Sequence, residues 1–223
     1  VTKWSMPYLM LRSVLIVAGI YEKWTDDILA SLDISQEVNF SCLSLPYGTA
    51  TLSMDNLSRR FEPRSKNGLF QSIEERQAIP LSFGVETQTG VEWVPAGIYY
   101  QKSGGWTTGN NGLTMQWDLV DIVGLLADRA YIPPATLPTT LNGWAQSLVT
   151  QLGVNFADRY HVDPNYSALA ITTTAAEIQG KTCGEILRFA CMATGTFPRA
   201  DQNSGDLTIE PMWSAGNYLT LDN

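Results

Sequence analysis

Two carboxylate pairs are the first residues whose types could do chemistry: Glu74-Glu75 and Asp118/Asp121. Paired carboxylates can divide acid and base work across a glycosidic bond, provided they face each other over a cleft. Neighbours in sequence give no such placement. Glu74 and Glu75 fall in a charged stretch. Asp118 and Asp121 sit where a helix is predicted to begin, and acidic groups there complement the helix dipole. His161 is the single histidine, so any nucleophile that needs an imidazole base must use it. Cys42, Cys183 and Cys191 form no CxxC pair, which argues against a zinc site or a disulfide framework. All three read as small core residues. Cys183 and Cys191 lie two turns apart on a predicted helix, out of bonding reach of each other.

The run Asp201-x-Asn203-x-Gly205-Asp206 has ligand types of a calcium loop. That loop needs glycine at its sixth position and glutamate at its twelfth, where this chain has Asp206 and Met212. A turn is the expectation. No GxSxG, HExxH, Walker or GxGxxG motif occurs. The reading is therefore of a chain with no catalytic residues, no metal and no cofactor. Seven tryptophans and nine tyrosines leave a carbohydrate-binding face open, with Trp93, Trp106 and Trp117 on or beside predicted strands. Core or subunit packing is the plainer account of these rings.

Charge narrows the partners. Charged residues make up 16% of the 223 residues, against about 25% in an ordinary soluble domain. A surface so poor in charge suits a subunit covered by others. The net charge of −8 argues against a general nucleic-acid clamp, which needs a basic surface. The basic residues are concentrated: Arg59, Arg60, Arg64, Lys66 and Arg76 are five of the chain's 14. They lie in residues 57–78, where Pro63, Asn67 and Gly68 break regular structure. This reads as a long connection and a possible interface loop. The longest apolar run, Val14–Tyr21, is eight residues, far short of the ~20 a membrane-crossing helix needs. It reads as a buried strand.

The elements that would position these groups are mostly strands before about residue 130. Alternation over Ile28–Phe40, over Thr49–Met54 after the Leu45–Gly48 turn, and over Leu113–Trp117 has the period of half-buried strands. Pro80–Val85 and Trp93–Tyr100 flank a hairpin connection, and Gly104–Gly112 reads as a second turn-rich tip. Asp118 is predicted to cap a short helix with apolar residues at 119, 122, 123 and 126. Three prolines in Pro133–Pro138 mark a linker. Beyond it, Leu141–Leu152 has helical spacing with Gly153 as its C-cap, and Thr182-Cys-Gly-Glu185 is a capping box opening a second helix that Gly195 ends. Ile186, Leu187, Ala190 and Cys191 face inward on that helix. A hairpin around Asp201–Asp206 follows. The fold class expected is α+β, mainly β.

Taken in order, these segments resemble the hub proteins of bacteriophage tails and baseplates. The stretch Gly48-Thr-Ala-Thr-Leu52-Ser-Met-Asp55-Asn56-Leu-Ser-Arg-Arg-Phe61-Glu-Pro63 resembles that family's strand, D-N and F-x-P segment. Trp93–Tyr99, with Gly97 and Tyr99, resembles its G-x-Y strand. Leu113–Leu126 resembles its strand followed by D-x-x-x-x-L, with Asp118 as the aspartate. The resemblance implies a β-barrel-like hub domain over 1–132, a smaller inserted α+β domain over 139–212, and a return toward a further domain or a C-terminal tail over 213–223. It implies a structural, non-enzymatic protein of the virion tail tip, assembled in the host cytoplasm. Its partners would be two further copies in a homotrimer, the tail tube or distal tail protein, the tape measure, and the spike or fibre. DNA would pass through the centre without specific binding, and this segment would insert in no membrane. An acidic or neutral lumen suits that passage, because like charge keeps DNA from sticking. A carbohydrate-binding or cell-wall-degrading module is the second expectation.

Overall fold

The computed structural model describes residues 9–17, 20–24, 29–36, 44–61 and 76–212. They fall into two compact units. The first holds seven strands, the start of a short helix up to Leu125, and the segment Ala200–Asp206. The second holds Leu126–Arg199, residues 207–212, and the segment ending at Pro46.

In the first unit the strands are β1 (Leu9–Val17), β2 (Ile20–Trp24), β3 (Leu29–Gln36), β4 (Gly48–Asp55), β5 (Ala78–Thr87), β6 (Gly90–Gly109) and β7 (Thr114–Val120). They form one sheet in the order β2-β1-β5-β6-β7-β4-β3, antiparallel in every pair. Among the described residues no ladder joins its two end strands, β2 and β3. The expected barrel-like domain is thus an open sheet here. The architecture is mainly β, as the alternation required.

Alternation drives the packing. On β4, Ala50, Leu52 and Met54 point inward, and on β7 Met115, Trp117 and Leu119 meet them. Trp117 is fully buried and lies opposite Trp106 of β6, which packs against the same core. Leu29, Leu32 and Ile34 of β3 also face the core. A bulge between Leu29 and Ser31 shifts the register there, so the inward set differs from the strict Ile28, Ala30, Leu32 alternation of the sequence. Ile28 and residues 37–40 of that expected strand lie outside the described residues.

Two expectations are corrected in this sheet. The segment Gly104–Gly112 is not all turn: β6 continues to Gly109 past a bulge between Gln101 and Trp106, and only Asn110–Gly112 turns. Keeping Trp106 opposite Trp117 outweighs the low strand propensity of the glycines. Asp118 does not cap a helix. It stays in β7, opposite Thr51, within an unbroken ladder from Thr49↔Val120 to Asp55↔Thr114. The helix α1 (Ile122–Ala127) starts later, and Asp121 caps it by accepting the Gly124 N–H at 2.8 Å.

The second unit holds α2 (Leu141–Thr150), β8 (Tyr160–Val162), α3 (Ala175–Ile178), α4 (Cys183–Thr194), β9 (Thr196–Ala200) and β10 (Leu207–Pro211). β10 lies between β8, to which it runs parallel, and β9. The buried face of α2 (Leu141, Trp144, Ala145, Leu148 and Val149) packs on the inward face of α4, where Ile186, Leu187, Ala190 and Cys191 are buried as expected. The Thr182 capping box forms: its hydroxyl accepts the Glu185 N–H at 3.1 Å and Glu185 accepts the Thr182 N–H at 2.9 Å. Gly195 closes α4 at φ 66°, in the left-handed region where glycine pays no Cβ penalty. α2 ends earlier than expected, with Gln151 as its cap. Gly153, at φ 126°, instead opens a single 3-10 turn.

Candidate functional site

Several of the residues singled out by sequence stand at the two ends of β4. At its C-terminal end stands a polar corner. Asp55 accepts the Leu57 N–H at 2.9 Å, a side-chain turn that folds the chain off the sheet. Asn56 is 1% exposed and uses both ends of its amide. Its Nδ2 donates to the Gly112 carbonyl at 2.8 Å, and its Oδ1 accepts the Phe61 N–H at 2.9 Å. Its backbone N–H also reaches the Leu113 carbonyl at 2.8 Å. Asn56 thereby ties the start of the long connection to the β6–β7 turn. Phe61, 1% exposed, anchors that connection in the core. Pro63, Arg64 and Lys66 lie outside the described residues, as do Glu74 and Glu75.

The basic residues that are described do not share one place. Arg59 and Arg60 follow Asn56, beside the end of β4 that pairs with Thr114. Arg76 precedes β5, whose first residue Ala78 pairs with Tyr100. Tyr100 pairs in turn with Val120, and Val120 with Thr49 at the opposite end of β4. The two described ends of the connection therefore stand at opposite ends of the sheet's strand direction, about 20 Å apart along it. Arg59 (φ 53°) and Arg76 (φ 62°) both hold left-handed backbone, which costs a non-glycine residue roughly 1 kcal/mol.

At the N-terminal end of β4 a second cluster forms around Asp121, Gly48 and Tyr99. Asp121 accepts the Gly48 N–H at 2.6 Å, and its own N–H reaches the Gly48 carbonyl at 3.0 Å. Burial pushes the Asp121 carboxyl up to about 6, against the opposing pull of the N–H groups of Gly48, Gly124 and Val123. Burial likewise raises the Tyr99 phenol. Gly97 is needed beside it: at φ 137° it avoids strain, and a Cβ there would lie 2.8 Å from the Tyr99 ring. Sequence reasoning singled out Gly97 and Tyr99 as motif residues and gave the cap to Asp118, where the structure gives it to Asp121. Two aspartates three apart ahead of an apolar run left that choice to the strand ladder. Asp118 instead accepts from Thr51 Oγ1 and Gln116 Nε2, each at 3.2 Å. The two carboxylates have separate partners and do not work as a pair.

Elsewhere the chemistry is quiet. His161 is exposed on β8. Cys183 and Cys191 are buried and not bonded to each other, while Cys42 lies outside the described residues. Burial pushes the Cys183 thiol up to about 12, which keeps it protonated and a poor nucleophile. Asp201 accepts the N–H groups of Asn203 and Ser204 at 2.9 and 2.8 Å, so its run is a turn. Among the described residues no three His, Cys, Asp or Glu side chains stand together to hold a metal, and no helix is long and apolar enough to cross a membrane. The second unit has a cavity of about 390 Å³, with Trp144, Ile178, Ile186 and Phe189 in its lining. Its charged lining residues are already engaged: Lys181 pairs with Glu185 at 3.2 Å, and Glu177 accepts from Thr173 and Thr174. No lining group is a nucleophilic thiol or an imidazole.

No family model matches the chain, and no curated protein does. Solved structures do match. The 43 kDa tail protein of prophage MuSo2 from Shewanella oneidensis superposes with a TM-score of 0.52 at 18% identity, over 89% of this chain and 54% of its own. The tail protein from Neisseria meningitidis MC58 gives 0.49 at 13% identity, over 89% and 50%. The half-lidded Francisella PdpA-VgrG complex gives 0.49 at 11%, over 90% and 30%. The chain spans about half the length of the tail proteins it matches. At the level of fold, it is similar across most of its length to the Shewanella prophage tail protein.

Proposed function

We propose that this chain is a structural, non-enzymatic part of a phage-type tail tip or baseplate hub. In that role it joins the tail tube to the central spike or fibre and surrounds the DNA channel. The observation that carries the reading is the fold likeness to the prophage tail protein over 89% of the chain. The D-N…F corner supports it, since Asp55, Asn56 and Phe61 form one built feature at the end of β4. The glycan-binding alternative has less to stand on. Trp117 is buried in the core, Trp106 packs against it, and the Trp93 ring lies within 3.0 Å of where a Gly84 side chain would begin.

The assembly would be a homotrimer contacting other tail proteins in the virion, with DNA passing without specific binding. Light scattering and negative-stain imaging of the purified chain test this. A threefold ring with a central hole is expected. A strict monomer at tens of micromolar, alone and with tail-tube protein added, overturns it. Clearing of a peptidoglycan suspension would overturn the non-enzymatic part.

A further inference from the structure

We propose that Asn111 is a self-modification site: its side-chain amide condenses with the Gly112 main-chain nitrogen, and the isoaspartate that follows unlatches the Asn56 corner. The inference does not depend on the hub reading. The sequence holds three Asn-Gly pairs, beginning at Asn67, Asn111 and Asn142. Glycine in second place leaves the attacking nitrogen unshielded, because no Cβ stands beside it. Asn67 lies outside the described residues. The other two are in opposite settings. Asn142 is in the first turn of α2, where its N–H donates to the Ser167 carbonyl at 3.1 Å and the Gly143 N–H donates to Thr140 Oγ1 at 3.2 Å. Bringing the Gly143 nitrogen onto the Asn142 side chain would unwind that turn. Asn111 is exposed at the tip between β6 and β7, at φ 56° and ψ 33°, a left-handed conformation that asparagine tolerates. Gly112 follows at φ 85°, and nothing stands within 4 Å of where a side chain would begin there. There is open space on that side of the peptide, so it can turn.

The chemistry needs only water. The Gly112 nitrogen gives up its proton and attacks Asn111 Cγ. The Cγ–Nδ2 bond breaks, ammonia leaves with that proton, and a succinimide ring closes. Water then opens the ring at one of its carbonyls. Opening at Cγ leaves aspartate. Opening at the Asn111 main-chain carbonyl carbon leaves the chain running through Cβ and Cγ, which is isoaspartate. By either route a water enters, an ammonia leaves, and nothing is oxidised or reduced.

Isoaspartate adds a carbon to the main chain between residues 111 and 112, and the turn has no slack for it. The Gly109↔Thr114 pair closes the ladder on either side of residues 110–113. Two carbonyls within those residues hold Asn56: Gly112 accepts its Nδ2 and Leu113 its backbone N–H, each at 2.8 Å. Moving either carbonyl strands an amide of a residue that is 1% exposed, which is costly. The Phe61 N–H, held by the same side chain at 2.9 Å, then loses its fixed acceptor, and the start of the long connection is released from the corner. Aspartate leaves the main chain as it was. Only the isoaspartyl product unlatches the corner.

The test incubates the full chain at mildly alkaline pH for several weeks and follows each Asn-Gly peptide by mass spectrometry. Isoaspartate is identified by methyl transfer with an isoaspartyl methyltransferase. Asn111 is expected to convert about tenfold faster than Asn142, the rate effect of about 1.4 kcal/mol in barrier. An Asn111 that stays intact, or one that converts no faster than Asn142, overturns the inference. The isoaspartyl and aspartyl forms are then separated by hydrophobic-interaction chromatography, and amide exchange at Phe61 and the Asn56 side-chain amide signals are compared. Faster exchange at Phe61 and shifted Asn56 signals are expected in the isoaspartyl form alone. Unchanged signals in that form overturn the unlatching. The same change in the aspartyl form would assign the effect to charge and also overturns it. Asn111→Gly keeps the left-handed turn with no amide to lose, so it should hold Phe61 protection through the same incubation. Loss of protection in that variant too would mean that the corner opens by another route, and the inference fails.

Discussion

In the sheet unit, Asn56 binds a carbonyl at residue 112, and Asp121 binds the backbone of Gly48, 73 residues away in sequence. In the helical unit, the Thr182 side chain reaches only to Glu185, and the Glu177 carboxyl only to Thr173 and Thr174. Both sets satisfy backbone groups left over at the ends of elements. They differ in what must already be in place. The helical caps form as soon as their own turn forms. The sheet clamps form only after β4, β6, β7 and the start of α1 have come together. Order in the first unit therefore depends on long-range packing, and removing a clamp there leaves a buried group stranded. Removing a helical cap exposes a group to water, which satisfies it.

The strongest way to break this contrast is to hollow the sheet core. Trp117→Ala removes a fully buried side chain that Leu52 and Trp106 face across two ladders. We expect about 4 kcal/mol of lost stability in urea unfolding, with exchange protection lost first in β4 and β7. Asn56→Ala comes next, at about 2 kcal/mol, because it leaves the Phe61 N–H and the Gly112 carbonyl without their partner. Asn56→Asp sharpens the reading. It keeps the acceptor for Phe61 but sets a buried carboxylate oxygen against the Gly112 carbonyl, so at neutral pH it should cost at least as much as Asn56→Ala. A cost below about 0.5 kcal/mol for Asn56→Ala would show that water or neighbouring groups fill the corner, and the contrast between the units would fail there.

The same contrast explains what could be read from the sequence. The second unit was legible because its signals are local. Thr182-x-x-Glu185, Gly195 and the Ile186–Cys191 face lie within one turn or two of what they specify. Alternation likewise revealed β4 and most of β5 and β7. Ambiguity arose where a distant strand decided the outcome. Asp118 and Asp121 are equally good caps by spacing, and only the ladder to β4 keeps Asp118 in a strand. Glycines at 104, 105 and 109 read as a tip until Trp106 is seen opposite Trp117. The long connection was expected from its composition. That its two ends stand at opposite ends of the sheet, parting Arg59 and Arg60 from Arg76, follows only from which strands pair.

Acid should act on the two units in opposite directions. Asp121 has a folded pKa raised to about 6 from an ordinary 3.8. A raised carboxyl contributes stability that is full below the unfolded pKa and is lost as pH rises through the folded one. The sheet unit should therefore gain about 1 kcal/mol between pH 7.5 and pH 5. Glu185 behaves the other way. The Thr182 N–H holds its carboxyl below the usual range, with help from Lys181, so its contribution is present at neutral pH and falls away as acid protonates it. Glu177 does the same through Thr174. Exchange rates of β4 and α4 amides, corrected for intrinsic rates and followed from pH 7.5 to 4, should diverge. Asp121→Asn should flatten the β4 response and leave that of α4 unchanged. Parallel responses in both units would contradict the assignment of the two carboxyl types.

The smallest effect is the most local. Thr182→Ala removes the hydroxyl that accepts the Glu185 N–H and should cost about 1 kcal/mol. Thr182→Ser keeps that acceptor and should cost little. Helical signal in the far ultraviolet, followed through urea unfolding, reads both. The loss should be confined to the first turn of α4, because Lys181 still pairs with Glu185 and the buried face of Ile186, Leu187 and Ala190 is untouched. If Thr182→Ala instead cost as much as Asn56→Ala, the cap would be bracing more than its own turn. The Ala130–Thr182 bridge and the Cys183 N–H to the Arg129 carbonyl, at 2.7 Å, would then be the contacts through which it does so.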